Sequence, residues 1–378
     1  MTETFEVCSA SQFRTQQEHS PMQIHDIPQT IRDTVRQGCV IPATPLALNA
    51  NRQFDRRHQT ALLRYYIDAG AGGIAIGVHT TQFAIREPAV GLYEPVLTHT
   101  SQVIDEYSKT TGREIFKVAG VCGETNQALQ EAAFAVSAGY HACLLSLAAL
   151  PEASVEELLA HCRAVSQIMP VIGFYLQPAV GGRILPYAFW RAFAEIDNVI
   201  AIKIAAFNRY QTLDVVRGLC DAGREDEITL YTGNDDNIVA DLLTEYRIQT
   251  SQGAKCVRFR GGLLGHWAVW TKSAVELLNR VHQTLQASEN VPAELLRLNI
   301  EVTDCNAALF DAANNFTGCI PGIHEILQRQ GLLPGTWCLN PEEILSPGQK
   351  QELDRVIAAY PECNDDDFVR ANLDRWLQ

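Results

Sequence analysis

No stretch of this chain approaches the 18 consecutive apolar residues that would read as a membrane-spanning helix. The first residues, Met1 to Gln23, are polar and hold no apolar core of a secretion signal. The 11 cysteines include no Cys-x-x-Cys pair and no Cys/His group at metal-ligand spacing. Neither a structural zinc nor a dithiol redox motif is expected. An odd cysteine count without a leader points to a reducing, cytoplasmic setting. Cations are scarce: 30 Lys and Arg against 44 Asp and Glu leave a formal charge of −14. That excludes a phosphate-backbone partner and repels anionic substrates at long range, so any acid must be held by groups inside a pocket. No Gly-x-Gly-x-x-Gly follows the first apolar run and no Walker sequence occurs, which argues against nucleotide-binding open sheets.

What the chain does have is alternation. Short apolar runs at Cys39–Ala43, Gly73–Val78, Ile115–Val121, Ala142–Leu147, Val171–Tyr175, Val199–Ile204, Ile228–Thr232 and Lys255–Arg260 read as strands covered on both faces. Helical spacing separates them. Val155, Leu158, Leu159, Cys162 and Val165 share one helix face, and Leu213, Val216, Leu219 and Cys220 repeat the pattern after Lys203. Eight such units predict a closed (β/α)8, or TIM, barrel over residues 36–286. Residues 1–35, rich in Gln, Ser and Thr, read as an N-terminal extension. Residues 287–378 read as a helical appendage with helices near Glu294–Asn314, Ile320–Gln330, Pro347–Ala359 and Asp366–Trp376.

One residue stands out chemically. Lys203 is the only charge in Val199-Ile-Ala-Ile-Lys-Ile-Ala-Ala-Phe207. Ala201 and Ala205 share its strand face, leaving room beside it. Burial of an ammonium is costly, so this amine loses its proton more readily than a free lysine and becomes a nucleophile toward a ketone. Tyr175 closes the preceding strand and is followed by Leu176-Gln177-Pro178. As a phenol at the carboxyl end of the adjacent strand, it is placed to move protons at an imine. His79-Thr80-Thr81-Gln82 follows the second strand, where hydroxyls and N–H groups can cradle a carboxylate. Arg260-Gly-Gly262 precedes a Gly-rich turn that lets backbone approach a ligand closely.

Taken in order, the hydroxyl turn, Tyr-x-x-Pro, Asn198-Val-Ile-Ala-Ile-Lys203 and Thr232-Gly-Asn-Asp235 resemble the dihydrodipicolinate synthase/N-acetylneuraminate lyase family of class I aldolases. The likeness runs from about Val40 to Ile357. It implies Lys203 as the Schiff-base lysine, Tyr175 as the catalytic tyrosine and Thr80 as a carboxylate-binding residue, with His79, Thr81, Gln177, Gly233, Asn234 and Gly262 near the substrate. It also implies a homo-oligomer, dimer or tetramer, with no metal or organic cofactor. The departures are specific. His79, Thr81 and Gln82 replace three residues of the family's hydroxyl turn. Leu147-Ala-Ala-Leu-Pro151 lacks the relay tyrosine, and Val180 stands where an arginine is expected, with Arg183 displaced. Those changes argue against lysine-pathway synthesis. They point to a lyase, dehydratase or hydratase-aldolase on a sugar-derived or aromatic 2-oxo acid. A keto-acid-binding barrel without turnover, or an oligomer with a dead site, is the competing reading. The enzymatic reading requires the Lys203 amine inside the barrel mouth, uncharged at neutral pH and within bonding reach of a ketone carbon; a side chain turned out into bulk water, or ion-paired far from the phenol of Tyr175, would remove it.

Overall fold

The computed structural model describes residues 21–287 and 290–378. Eight parallel strands form the barrel: β1 (Val40–Pro42), β2 (Gly73–Ile76), β3 (Phe116–Val121), β4 (Ala142–Leu145), β5 (Val171–Leu176), β6 (Val199–Ala205), β7 (Thr229–Thr232) and β10 (Phe259–Leu264). Their order around the sheet is β1-β10-β7-β6-β5-β4-β3-β2. The seam between β1 and β2 closes through a parallel bridge, Ala43 to Ala75, and by the Thr44 N–H donating to the Ala75 carbonyl at 2.8 Å. A helix follows each barrel strand, so both faces of the sheet are covered, and the strands carry the apolar runs that this demands.

Local chemistry sets these helices. Val155–Ser166 starts on a capping box, with the Ser154 hydroxyl accepting from the Glu157 N–H (3.2 Å) and the Glu157 carboxylate from the Ser154 N–H (2.7 Å). Such a cap contributes about 1 kcal/mol. Leu158, Leu159, Cys162 and Val165 are buried against the sheet. Gly70 and Gly112 end their helices at φ +109° and +69°, the left-handed turn that glycine accepts without strain.

The eighth strand lies later than the apolar run predicts. Lys255–Arg260 is split between two elements. Residues 253–257 form β9 (Gly253–Val257), the second arm of an antiparallel hairpin with β8 (Tyr246–Thr250), and the barrel strand begins only at Phe259. Two glycines hide it from a hydrophobic reading. A Cβ on Gly261 would stand 2.4 Å from the Cys39 carbonyl oxygen, and one on Gly262 2.6 Å from Trp267. The strand passes too close to its neighbours for any side chain there.

Residues 1–20 of the polar N-terminal stretch lie outside the described residues. From residue 21 the chain is packed against the barrel floor. The helix Gln29–Gln37 buries Ile31 and Val35, which join Ile41, Phe116 and Val118 in the lumen core. The Val35 carbonyl accepts from the Tyr231 hydroxyl (2.9 Å), and the Asn198 side chain ties down Met22 and Ile24.

Four helices after residue 290 (Ala293–Leu309, Cys319–Arg329, Gln349–Ala359 and Asp366–Trp376) form the appendage. They share a second apolar core with Tyr65, Tyr66 and Ile67 of the first barrel helix. Buried polar bonds latch it. The Tyr65 hydroxyl donates to Asp365 (2.7 Å), whose carboxylate also accepts from the Lys272 N–H (3.0 Å), and the Trp376 indole donates to Asp68 (2.6 Å). Among the described residues no helix is long and apolar enough to cross a membrane.

Candidate active site

Strand alternation decides what reaches the barrel interior. Lys203 is the register partner of Phe174 on β5 and of Tyr231 on β7, so these three side chains share the inward face. A narrow cavity at the carboxyl end of the strands is lined by Lys203, His79, Thr80, Gln177, Gly233 and Asp235, with an apolar wall that includes Phe174, Phe207, Phe310 and Phe316. Phe310, Phe316 and Cys319 come from the C-terminal appendage, which therefore builds one side of the site.

The Lys203 side chain is 8% exposed and, among the described residues, its amine makes no hydrogen bond or ion pair. Its Nζ lies 4.4 Å from the centre of the Phe174 ring. Burial lowers the amine to about 8, opposed by the negative charge of Asp235. Asp235 is 5% exposed, and burial pushes its carboxyl up to about 7 against the pull of Lys203. One carboxylate oxygen accepts from the His266 N–H at 3.0 Å. The two groups act on each other through charge rather than through a hydrogen bond, each favouring the other's ionised form, and perturbed groups of this kind are frequent at reaction centres. His79 is brought down to about 4, by burial first and then by the Lys203 charge, so it is a neutral imidazole at pH 7.

Gly233 faces Lys203. A Cβ there would stand 2.6 Å from the Lys203 Cε, so only glycine leaves the amine its place. The Thr80 hydroxyl lines the cavity and donates to the Ala43 carbonyl (2.6 Å). It can still accept from a ligand but has no proton left to offer. The first N–H groups of the short 3-10 turn His79–Thr81 are not consumed by the turn itself.

Five residues that sequence placed at the substrate sit elsewhere. Tyr175 pairs in register with Ile204 and points outward into the helix layer. It stacks on Trp190 at 5.5 Å, and its hydroxyl accepts from the Leu185 N–H at 3.2 Å. Consecutive aromatics on a strand must face opposite ways, and Phe174 takes the inward position. Thr81 donates to the Thr44 carbonyl (2.7 Å) and accepts from Gly77 and Val78, holding the turn rather than a ligand. Arg183 clamps the loop after β4 through the carbonyls of Leu150 and Ala153. Asn234 holds the Phe207 N–H (2.9 Å) and donates to Asp241 (2.9 Å). Gly262 gives room to Trp267 and does not line the cavity.

Asp235 is the residue that sequence reasoning passed over. It lies past the end of β7, in a turn where the Asp235 N–H donates to the Gly233 carbonyl (3.1 Å), so strand alternation assigns neither it nor Asn234, which the family resemblance put near the substrate. The phenylalanines of the appendage leave no such signal, being more than 100 residues from Lys203 along the chain.

Tyr175→Phe tests this placement. Loss of the hydroxyl leaves the Leu185 N–H unpaired and costs about 1–2 kcal/mol, seen as a lower melting temperature. Covalent trapping of a keto acid on Lys203 is expected within a few-fold of the parent rate. A hundredfold fall would put the phenol back at the amine.

The fold and cavity define a (β/α)8-barrel protein with a buried lysine at the carboxyl end of its sixth strand, unpaired among the described residues. The chain belongs to the dihydrodipicolinate synthetase family, whose model matches residues 37–245. A search of curated protein sequences found no match. Among solved structures, dihydrodipicolinate synthase from Oceanobacillus iheyensis superposes with a TM-score of 0.69 at 15% identity, covering 88% of this chain and 99% of its own. YagE, an Escherichia coli K12 prophage protein of the dihydrodipicolinic acid synthase family solved with pyruvate, gives 0.67 at 17%, covering 86% and 98%. CdNal from Clostridium difficile, solved with mannosamine, gives 0.66 at 14%, covering 85% and 99%.

Proposed function

We propose that this chain is a Schiff-base-forming lyase acting on a 2-oxo acid through Lys203. The observation that carries the reading is a buried amine with no hydrogen-bond partner among the described residues, lowered to about 8 and facing an open cavity. The neutral amine attacks the ketone, water leaves, and the resulting iminium accepts an electron pair from the bond broken at the next carbon. His79, the Thr80 hydroxyl and the N–H groups of their turn surround the substrate carboxylate. Asp235, with its carboxyl near 7, takes and returns the proton that the family assigns to tyrosine. Aldol cleavage, condensation and dehydration all run through the same iminium, and no cofactor enters any of them. The ten described cysteines are all unbridged, which suits a cytoplasmic protein, and family membership supports a dimer or tetramer.

The test is direct. Incubation with pyruvate and borohydride should add one pyruvate, less one water and plus two hydrogens, to the intact mass, with the peptide map locating it on Lys203. An unmodified protein would overturn the reading. A binding barrel without turnover is favoured by one observation, the phenol turned away from the amine. It is distinguished by adduct formation without aldehyde or water release from longer 2-oxo acids.

A further inference from the structure

The polar groups expected to read the far end of a substrate are committed elsewhere, and aromatic rings stand in their place. The Arg183 guanidinium is bound to two backbone carbonyls, and the Asn234 amide to Phe207, Thr212 and Asp241. Of the polar side chains lining the cavity, Lys203, Asp235, His79 and Thr80 are taken by the reacting carbon and the carboxylate under the reading above. Gln177 alone remains.

Phe207 and Phe316 meet edge to face, ring centres 5.8 Å apart at 80°. Both hold a backbone conformation that bulky residues avoid, at φ +49° and +65°. Each is locked by its surroundings. The Phe207 N–H donates to Asn234, which is itself held by the fully buried Asp241. Phe316 sits in a loop knotted by Asp311, whose carboxylate accepts from the Gly318 N–H (3.0 Å) and the Asn314 amide (2.6 Å). Two elements distant in sequence thus spend unfavourable backbone geometry on setting two phenyl rings in one cavity wall.

We propose that the substrate of this site is a 2-oxo acid whose far end is an uncharged aromatic ring, selected by Phe207 and Phe316. The proposal rests on the Schiff-base reading of Lys203. A hydroxylated tail entering this wall gives up its water and finds almost no partner, whereas a ring gains edge-to-face contacts. The corresponding reaction is cleavage of a 4-hydroxy-4-aryl-2-oxobutanoate. Lys203 forms the imine at C2 with loss of water, and Asp235 takes the C4 hydroxyl proton. The C3–C4 pair moves into the enamine as the aromatic aldehyde leaves. C3 then regains a proton from Asp235, and water hydrolyses the iminium to pyruvate and free Lys203.

The experiment compares kcat/KM for 4-hydroxy-4-phenyl-2-oxobutanoate with that for a 3-deoxy polyhydroxylated 2-oxo acid, in the full chain and in Phe316→Asn. Asparagine accepts the same backbone conformation, so the loop keeps its shape. The parent should prefer the phenyl substrate by about 100-fold, and Phe316→Asn should lower that preference about tenfold. The borohydride adduct with pyruvate is measured beside it. An adduct together with equal or better cleavage of the polyol, or with cleavage of neither, overturns the aromatic proposal and leaves the Schiff base standing. No adduct at all overturns both.

Discussion

Lys203→Met loses the pyruvate–borohydride adduct entirely, and turnover of any 2-oxo acid falls on the order of 10⁴-fold or more, the scale seen when a covalent nucleophile is removed. Methionine matches the side chain in length and removes the amine alone, so the lumen around Phe174 stays filled. The same variant checks the electrostatics. In the folded parent the amine is lowered to about 8 from an ordinary value near 10.5. The fold therefore disfavours the ammonium: the cost is full below about pH 8 and vanishes above about 10.5. Removing the group relieves that cost at pH 7, so thermal melts at that pH should show no loss of stability beyond the repacking of one side chain. For the parent, the trapping rate should rise about tenfold per pH unit up to about pH 8 and then level, because only the neutral amine attacks. Residual adduct in Lys203→Met, mapped to another residue, would remove the basis of the proposed function.

Asp235→Asn separates two roles in opposite directions. The carboxylate raises the Lys203 pKa against the effect of burial, so its loss lets the amine fall further below about 8. The pH profile for pyruvate trapping should move to lower pH, and trapping near pH 6 should become faster than in the parent. Cleavage of a 4-hydroxy-2-oxo acid should meanwhile slow by about 10²–10⁴-fold, since the imidazole of His79 in the same cavity, brought down to about 4, is a much weaker base for the hydroxyl proton. The stability change has a definite sign as well. The folded Asp235 carboxyl is raised to about 7 from 3.8, so its penalty is absent below pH 3.8 and full above about 7. The parent loses stability from this group as pH rises through that window, and the asparagine variant should be free of the loss. Faster trapping with unimpaired cleavage would show that Asp235 tunes the lysine but moves no proton. Unchanged trapping would show that the two groups are not coupled.

The parts of this protein legible in its sequence are those governed by short-range periodicity. Continuous apolar runs marked seven of the eight barrel strands, and the helical spacing of Leu158, Leu159, Cys162 and Val165 marked a helix between them. Lys203 was legible for the same reason: a single charge in an apolar strand cannot be solvated by its own neighbours, so it announces a pocket. The eighth strand was obscured because Gly261 and Gly262 serve close backbone approach, a requirement that carries no hydrophobic signature.

Which of two adjacent residues points inward is a different matter. Phe174 and Tyr175, or Asn234 and Asp235, are equivalent to any motif; the register of β5 against β6 turns Phe174 to the lumen and Tyr175 to the helix layer, and the turn after β7 sets Asp235 at the cavity and Asn234 in a buried polar network. By itself the sequence determined a lysine-bearing barrel, since burial and periodicity act over a few residues. Only the tertiary structure decided that an aspartate, not a tyrosine, faces that lysine, and that phenylalanines from the appendage wall the cavity. Those placements depend on strand register and on contacts between segments more than 100 residues apart.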